Sequence, residues 1–177
     1  MVMRFHSIRI WIVAVLILVM ILVVIVNQVK GNPATLPEPG YQAPPFRLMT
    51  FNGGTRSLSQ YRGKDVFINF WASWCPPCQA ETPDLVRMYR QYGKQVVFLG
   101  INLTGSDTVQ SAKGFIQYYH IPYTVLEDPK DVIAKKYDVI AIPTSLFING
   151  RGIIVNRVTG GMSKAMMQEN FKALINH

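Results

Sequence analysis

The sequence predicts an α/β domain, a central mixed sheet with helices on both faces, placed behind one membrane-spanning helix. Three observations carry that expectation. Apolar runs of strand length alternate with segments that have helix caps and breakers. Both cysteines of the 177-residue chain lie where one such run gives way to a helix. Residues 10–26, "IWIVAVLILVMILVVIV", hold no polar side chain.

That last run comes first in the chain. As a helix it spans about 26 Å, just short of a hydrocarbon core of roughly 30 Å. Ile8, with Arg9 extending its charge toward the headgroups, supplies the missing turn. A buried core helix would keep a polar face, and this run has none. A cleaved signal peptide would be shorter and end in a small-x-small site, whereas here "NQVKGNPATLPEPG" follows. The run therefore reads as an uncleaved signal-anchor. Arg4 and Arg9 precede it and Lys30 alone follows closely, which leaves residues 1–9 in the cytoplasm and sends the rest outside. Residues 31–45 hold five of the eleven prolines, so 27–40 reads as a semi-rigid tether. The domain proper is expected over 41–177.

Within it, "FRLMTFNGGTRSL" alternates and turns at Asn52–Gly53–Gly54, a short hairpin. "DVFINFWA" (65–72) and "QVVFLGINL" (95–103) are continuous apolar runs, as in strands covered on both faces. Between them "PPCQAETPDLVRMYRQY" reads as a helix ended by Gly93, which completes a parallel crossover. Asp107 is placed to cap a second helix reaching His120, and "YTVLE" (123–127) is a further strand. Asp128–Pro129 has the form of an N-cap with proline at the first helical position, opening a helix to about Tyr137. "TSLFI" and "GIIVNRVT" flank "NGRG" as an antiparallel hairpin, and Ser163 opens a C-terminal helix. No internal repeat is present.

Net charge is +8, but the basic residues are scattered, with Lys135–Lys136 the only adjacent pair after the first 40 residues. Neither a nucleic-acid stripe nor a polybasic membrane switch is present.

The chemistry lies in "NFWASWCPPCQAETP", Asn69 to Pro83. A disulfide across so short a loop stabilises a fold by only about 2 kcal/mol, so the spacing suits chemistry better than stapling. Cys75 falls at the N-cap, with Pro76 and Pro77 in the opening turn, where a missing N–H costs nothing. Cys78 lies one turn on, on the same face, within reach of a Cys75–Cys78 disulfide. The helix dipole and free N–H groups favour a thiolate at Cys75. That makes Cys75 the expected exposed nucleophile and Cys78 the shielded resolving thiol. Glu81 shares their helical face. Pro83 is expected to kink the helix, Trp71 to belong to the core and Trp74 to rim the site.

These residues resemble the membrane-anchored thioredoxin-like thiol-disulfide oxidoreductases of the TlpA/ResA type, within the AhpC/TSA-redoxin superfamily. The resemblance runs from Tyr41 to Ile175 and rests on "APPF" (43–46), "RGKDVFINFWASWCPPC" (62–78), "AIPTSLFING" (141–150) and "VTGGM" (158–162). It implies a thioredoxin-like fold in which about 104–127 is an αβ insertion. It also implies a cis bond before Pro143, facing the cysteines, and a partly buried Glu81 that takes the proton of Cys78. Substrate contact is implied for Trp74, Pro76, Ile142, Pro143 and Thr144, with Ile142 offering its backbone to an extended peptide. No cofactor or metal is implied.

Other readings meet specific obstacles. A peroxidase on this fold wants threonine or serine three residues before its attacking cysteine, and position 72 is alanine. A copper carrier wants a distant ligand histidine, for which only His120 is available. An oxidase or isomerase often has a histidine between its cysteines; here two prolines donate no hydrogen bond, which favours a reducing couple. The resemblance then points to extracytoplasmic protein disulfides as substrates, apocytochrome c cysteines foremost. Electrons would come from a membrane thiol-disulfide donor of the CcdA/DsbD type. Pro76–Pro77 departs from the acidic-Pro pair of the cytochrome-maturation member.

Overall fold

A computed structural model of the chain describes residues 11–23 and 35–176. The chain forms two compact units, residues 1–33 and 34–177. In the first, residues 11–23 form helix α1, and its side chains are exposed. Among the described residues no helix is long and apolar enough to cross a membrane. Residue 10, residues 24–26, the expected cytoplasmic segment 1–9 and tether residues 27–34 lie outside the described residues.

The second unit is built on seven strands: β1 (Arg47–Thr50), β2 (Thr55–Ser57), β3 (Asp65–Trp71), β4 (Val96–Asn102), β5 (Thr124–Glu127), β6 (Thr144–Ile148) and β7 (Ile154–Thr159). Their order across the sheet is β2-β1-β5-β4-β3-β6-β7. Strands β3, β4 and β5 are parallel, joined by crossover helices α2 (Pro76–Tyr92) and α3 (Val109–Tyr118). The hairpins β1–β2 and β6–β7 pair antiparallel. Helices α4 (Val132–Lys136) and α5 (Lys164–Ile175) complete the unit. The mixed sheet matches the thioredoxin-like expectation, and α3 and β5 occupy the residues expected as an insertion.

Strand β3 shows why the apolar runs carry no simple alternation. Val66, Ile68 and Phe70 enter one core with Leu99, Ile101, Leu126, Tyr137 and Leu146. Phe67 enters the other with Leu85, Met88, Phe98, Phe147 and Phe171, beneath α2 and α5. A strand covered on both sides has no polar face to show. Gly93 ends α2 in a right-handed conformation (φ −65°). The reason for glycine there is space: a Cβ would lie 2.6 Å from the Tyr89 carbonyl oxygen.

Three local expectations need correction. Helix α4 does not begin at Asp128–Pro129; it begins at Val132, after a turn through left-handed Asp131. Asp128 still caps it from a distance, accepting the N–H groups of Val132, Ile133 and Ala134 at 2.8–3.0 Å. Helix α3 is capped by Thr108, not Asp107, and ends at Tyr118; His120 follows it in a left-handed conformation (φ 48°). Residues 35–40, expected as tether, are docked on the domain. The Gly40 N–H donates to the Ile154 carbonyl (2.8 Å), the Arg157 Nη1 donates to the Pro37 carbonyl (2.8 Å), and Pro37 is buried.

Candidate active site

The site forms where β3 runs out and α2 begins. Cys75 is the N-cap (φ −84°, ψ 110°), and its Sγ accepts the Cys78 N–H at 3.3 Å. Pro76 and Pro77 fill the first helical positions and are exposed, so the end of α2 has few free donors and the sulfur takes one of them. The two cysteines are joined, with Cα atoms 5.3 Å apart. Opposite them the Ile142–Pro143 bond is cis, and the Ile142 carbonyl oxygen lies 3.6 Å from Cys75 Sγ.

Burial distinguishes the two sulfurs less than expected. Cys75 is 2% exposed and Cys78 1%, so Cys75 is not the exposed thiol the sequence suggests. Both join a small cluster with Trp71, Ala72, Ala112, Phe115 and Val125, against which Ile142 packs. Helix α3 supplies Ala112 and Phe115, and Phe115 stacks on Trp71; this cover has no local signal around the cysteines. In this closed form the asymmetry lies in polar surroundings. Cys75 faces an N–H and a carbonyl, while Cys78 shares its helical face with Glu81.

Glu81 is 4% exposed. Its Oε1 accepts from Asn69 Nδ2 and its Oε2 from the Met162 N–H, both at 3.0 Å. Burial raises its pKa from the ordinary 4.5 to about 7, against the two hydrogen bonds, which favour the charged form. A carboxyl group poised there exchanges its proton at neutral pH, as a general base requires. Met162 in turn belongs to the "VTGGM" turn. Gly160 (φ 95°) donates its N–H to the Pro143 carbonyl at 2.7 Å. One short loop thus grips both the carboxylate and the cis bond.

The comparisons with known proteins decide the family. Residues 39–157 match the AhpC/TSA family. The chain belongs to the AhpC/TSA family. Thiol-disulfide oxidoreductase ResA of Bacillus subtilis is 33% identical over 145 residues, which cover 82% of this chain and 80% of that protein. A Chlorobium tepidum structure, provisionally assigned as the thiol:disulfide interchange protein DsbE, superposes with a TM-score of 0.72 at 29% identity. It covers 80% of this chain and 99% of the other. The pneumococcal exposed lipoprotein thioredoxin Etrx1 of Streptococcus pneumoniae is 34% identical, with a TM-score of 0.63 over 74% of this chain and all of the other. This AhpC/TSA member is a thiol-disulfide oxidoreductase.

Its other expected contacts divide. Trp74 is 55% exposed and rims the site, its Nε1 donating to the Ser106 carbonyl at 3.0 Å. Ile142 is half-buried, and Pro143 is buried. Thr144 is fully buried, its hydroxyl donating to the Ala141 carbonyl at 2.7 Å, and it braces the loop from inside. Two polar groups have partners at the site that the sequence reading did not assign them. Asn69 donates to Ser145 Oγ as well as to Glu81; its signal was one amide inside an apolar strand. Asp107 receives hydrogen bonds from Ser73, Asn102 and Thr108. Those bonds outweigh partial burial and hold its pKa below the ordinary carboxylate value.

Proposed function

We propose that this chain reduces protein disulfides on the outer side of the cytoplasmic membrane. The Cys75 thiolate attacks one sulfur of the substrate disulfide, forming a mixed disulfide and expelling the other sulfur as a thiolate. Glu81 accepts the Cys78 proton, and the resulting thiolate attacks Cys75 Sγ. The second substrate sulfur leaves as a thiolate, which takes back the proton held on Glu81, and Cys75–Cys78 closes as a disulfide. Two electrons pass to the substrate. A membrane dithiol carrier of the CcdA/DsbD type returns them.

The observation that carries this reading is the carboxyl group of Glu81, buried one helical turn beyond Cys78 with its pKa raised to about 7. The direction of transfer is supported by Pro76–Pro77, which give the Cys75 thiolate no side-chain donor and so favour the disulfide form. The extracytoplasmic, anchored location is supported by the apolar run 10–26 with arginines upstream. Trp74 at the rim, Pro76 beside it and the Ile142 backbone offer an extended peptide an apolar ledge and main-chain partners. Apocytochrome c cysteines are the leading substrate class.

The test uses the full-length chain in its membrane. Cys78→Ser should attack and accumulate covalent partners, while Cys75→Ser should trap none. Equilibration against dithiothreitol should give a potential nearer thioredoxin's roughly −270 mV than DsbA's roughly −120 mV. A value above about −180 mV would make the protein an oxidase or isomerase of envelope disulfides and end the reductant reading.

A further inference from the structure

We infer that Asp107 is a positioning residue for disulfide exchange: it holds the loop that carries Ser73, Trp74 and Cys75 in the pose from which Cys75 reacts. The inference rests on the exchange reading above. Its basis is a set of contacts that cross from the segment between β4 and α3 to the loop before the cysteines. Asp107 Oδ2 accepts the Ser73 N–H at 2.7 Å and Asn102 Nδ2 at 2.9 Å. Its Oδ1 accepts the Ser73 hydroxyl at 2.7 Å and the Thr108 N–H at 2.8 Å. The Gln79 Nε2, on α2, donates to the Ser73 carbonyl at 2.8 Å. Every polar group of Ser73 is therefore held, two residues ahead of Cys75.

The same segment sets Trp74. Its indole N–H reaches the Ser106 carbonyl. Ser106 and its neighbour Gly105 are gripped in turn by Asp131: the Gly105 N–H donates to Asp131 Oδ1 at 3.0 Å, and the Ser106 hydroxyl donates to Oδ2. A Cβ at Gly105 would lie 2.8 Å from that carboxyl group. Residues 103–108 thus form a braced platform, with Asp107 its link to Ser73 and Ser106 its link to Trp74. Residues 72–74 follow this path from the end of β3 to Cys75 at the N-cap. Holding reacting groups in one geometry is a rate effect more than a stability effect.

Carboxylate chemistry is required. Both oxygens of Asp107 face N–H donors, so an amide in its place turns an NH2 group against one of them. Asp107→Asn should slow exchange of the full-length protein, in detergent with insulin as substrate and dithiothreitol as electron source, by about tenfold or more. It should also shift the Trp74 indole N–H resonance, identified by Trp74→Phe. Ser73→Ala, which removes one of the bonds, should slow exchange by about twofold to fivefold. Because both act through one contact, the double variant should be no slower than Asp107→Asn alone. An unchanged rate, an unmoved Trp74 resonance, or additive losses would overturn the inference. Should Asp107→Asn fail to fold, Ser73→Ala decides it on the same two readouts. A wild-type protein inert toward insulin and toward native envelope disulfides would end the proposed function instead, while the resonance still reports whether Asp107 holds the loop.

Discussion

Phe67 and Asn69 stand two residues apart on one strand, under the same helix, in opposite surroundings. Phe67 meets the rings of Phe98, Phe147 and Phe171 at centroid distances of 5.2, 5.0 and 5.0 Å. Asn69 meets a carboxyl group and a hydroxyl, both buried. Helix α2 spans the two environments: Leu85, Met88 and Tyr92 enter the aromatic block, and Glu81, one turn beyond Cys78, enters the polar seam. The dry end joins the sheet to α2 and α5 through apolar burial. The wet end keeps an ionisable group out of water, which costs stability and yields a proton acceptor near neutral pH. Within about one strand's length the chain separates what holds it together from what makes it react.

That separation can be broken from either side. The largest effect is expected at the dry end, where Phe171→Ala should cost about 3–5 kcal/mol. Denaturant unfolding should report it, and the folded fraction, assayed at low temperature, should exchange disulfides at the wild-type rate. A slower rate in the folded fraction would show that the two ends are coupled.

At the wet end, the expected stability effect depends on pH. The folded pKa of Glu81 is raised from 4.5 to about 7. Between those values the folded protein holds a proton that the unfolded chain has lost, so stability falls as pH rises across the window. The full effect is on the order of 3 kcal/mol, and Glu81→Gln should flatten the curve. The same variant should slow exchange at least about tenfold, equivalent to about 1.4 kcal/mol in the barrier. A flat wild-type curve, or an unchanged rate, would return Glu81 to a structural role.

The smallest effect sharpens the comparison at Asn69. Its hydrogen bond favours the charged form of Glu81, so Asn69→Ala should raise the carboxyl pKa further. The midpoint of the rate–pH profile should move upward by about half a unit to one unit. A downward move would mean that Asn69 stabilises the protonated form.

How much of this was legible follows the range of each interaction. The cysteine N-cap, the prolines behind it and the strand before it are local, and the sequence reading of them matches the structure. Glu81 was legible as a face-sharing carboxylate because one helical turn separates it from Cys78. Its partner Asn69 lies in another element, and a single amide within an apolar run gives no direction. The sequence placed Asp107 at the cap of α3, and the cap is Thr108, one residue on. Thr108 takes that place because Asp107 is engaged 34 residues away at Ser73, which no local pattern encodes. The burial of Cys75 has the same origin, since its cover comes partly from α3.

The docked segment 35–42 bears on how the domain behaves when cut free of its N-terminal unit. Strand β7 is an outer strand of the sheet, and outer strands invite pairing between molecules. Here the chain closes over its start: the Gly40 N–H donates to the Ile154 carbonyl, and the Ile154 N–H donates to the Tyr41 carbonyl. Arg157 adds a clasp, donating to the carbonyls of Pro37, Tyr137 and Asp138 at 2.8 Å. A soluble fragment beginning at Tyr41 would lose Pro37 and Gly40, loosen the clasp and uncover part of that margin. One beginning at residue 34 retains the cover. The margin is thus guarded by the chain's own entry strap, and its integrity bears on whether the freed domain stays monomeric or extends its sheet through a neighbour.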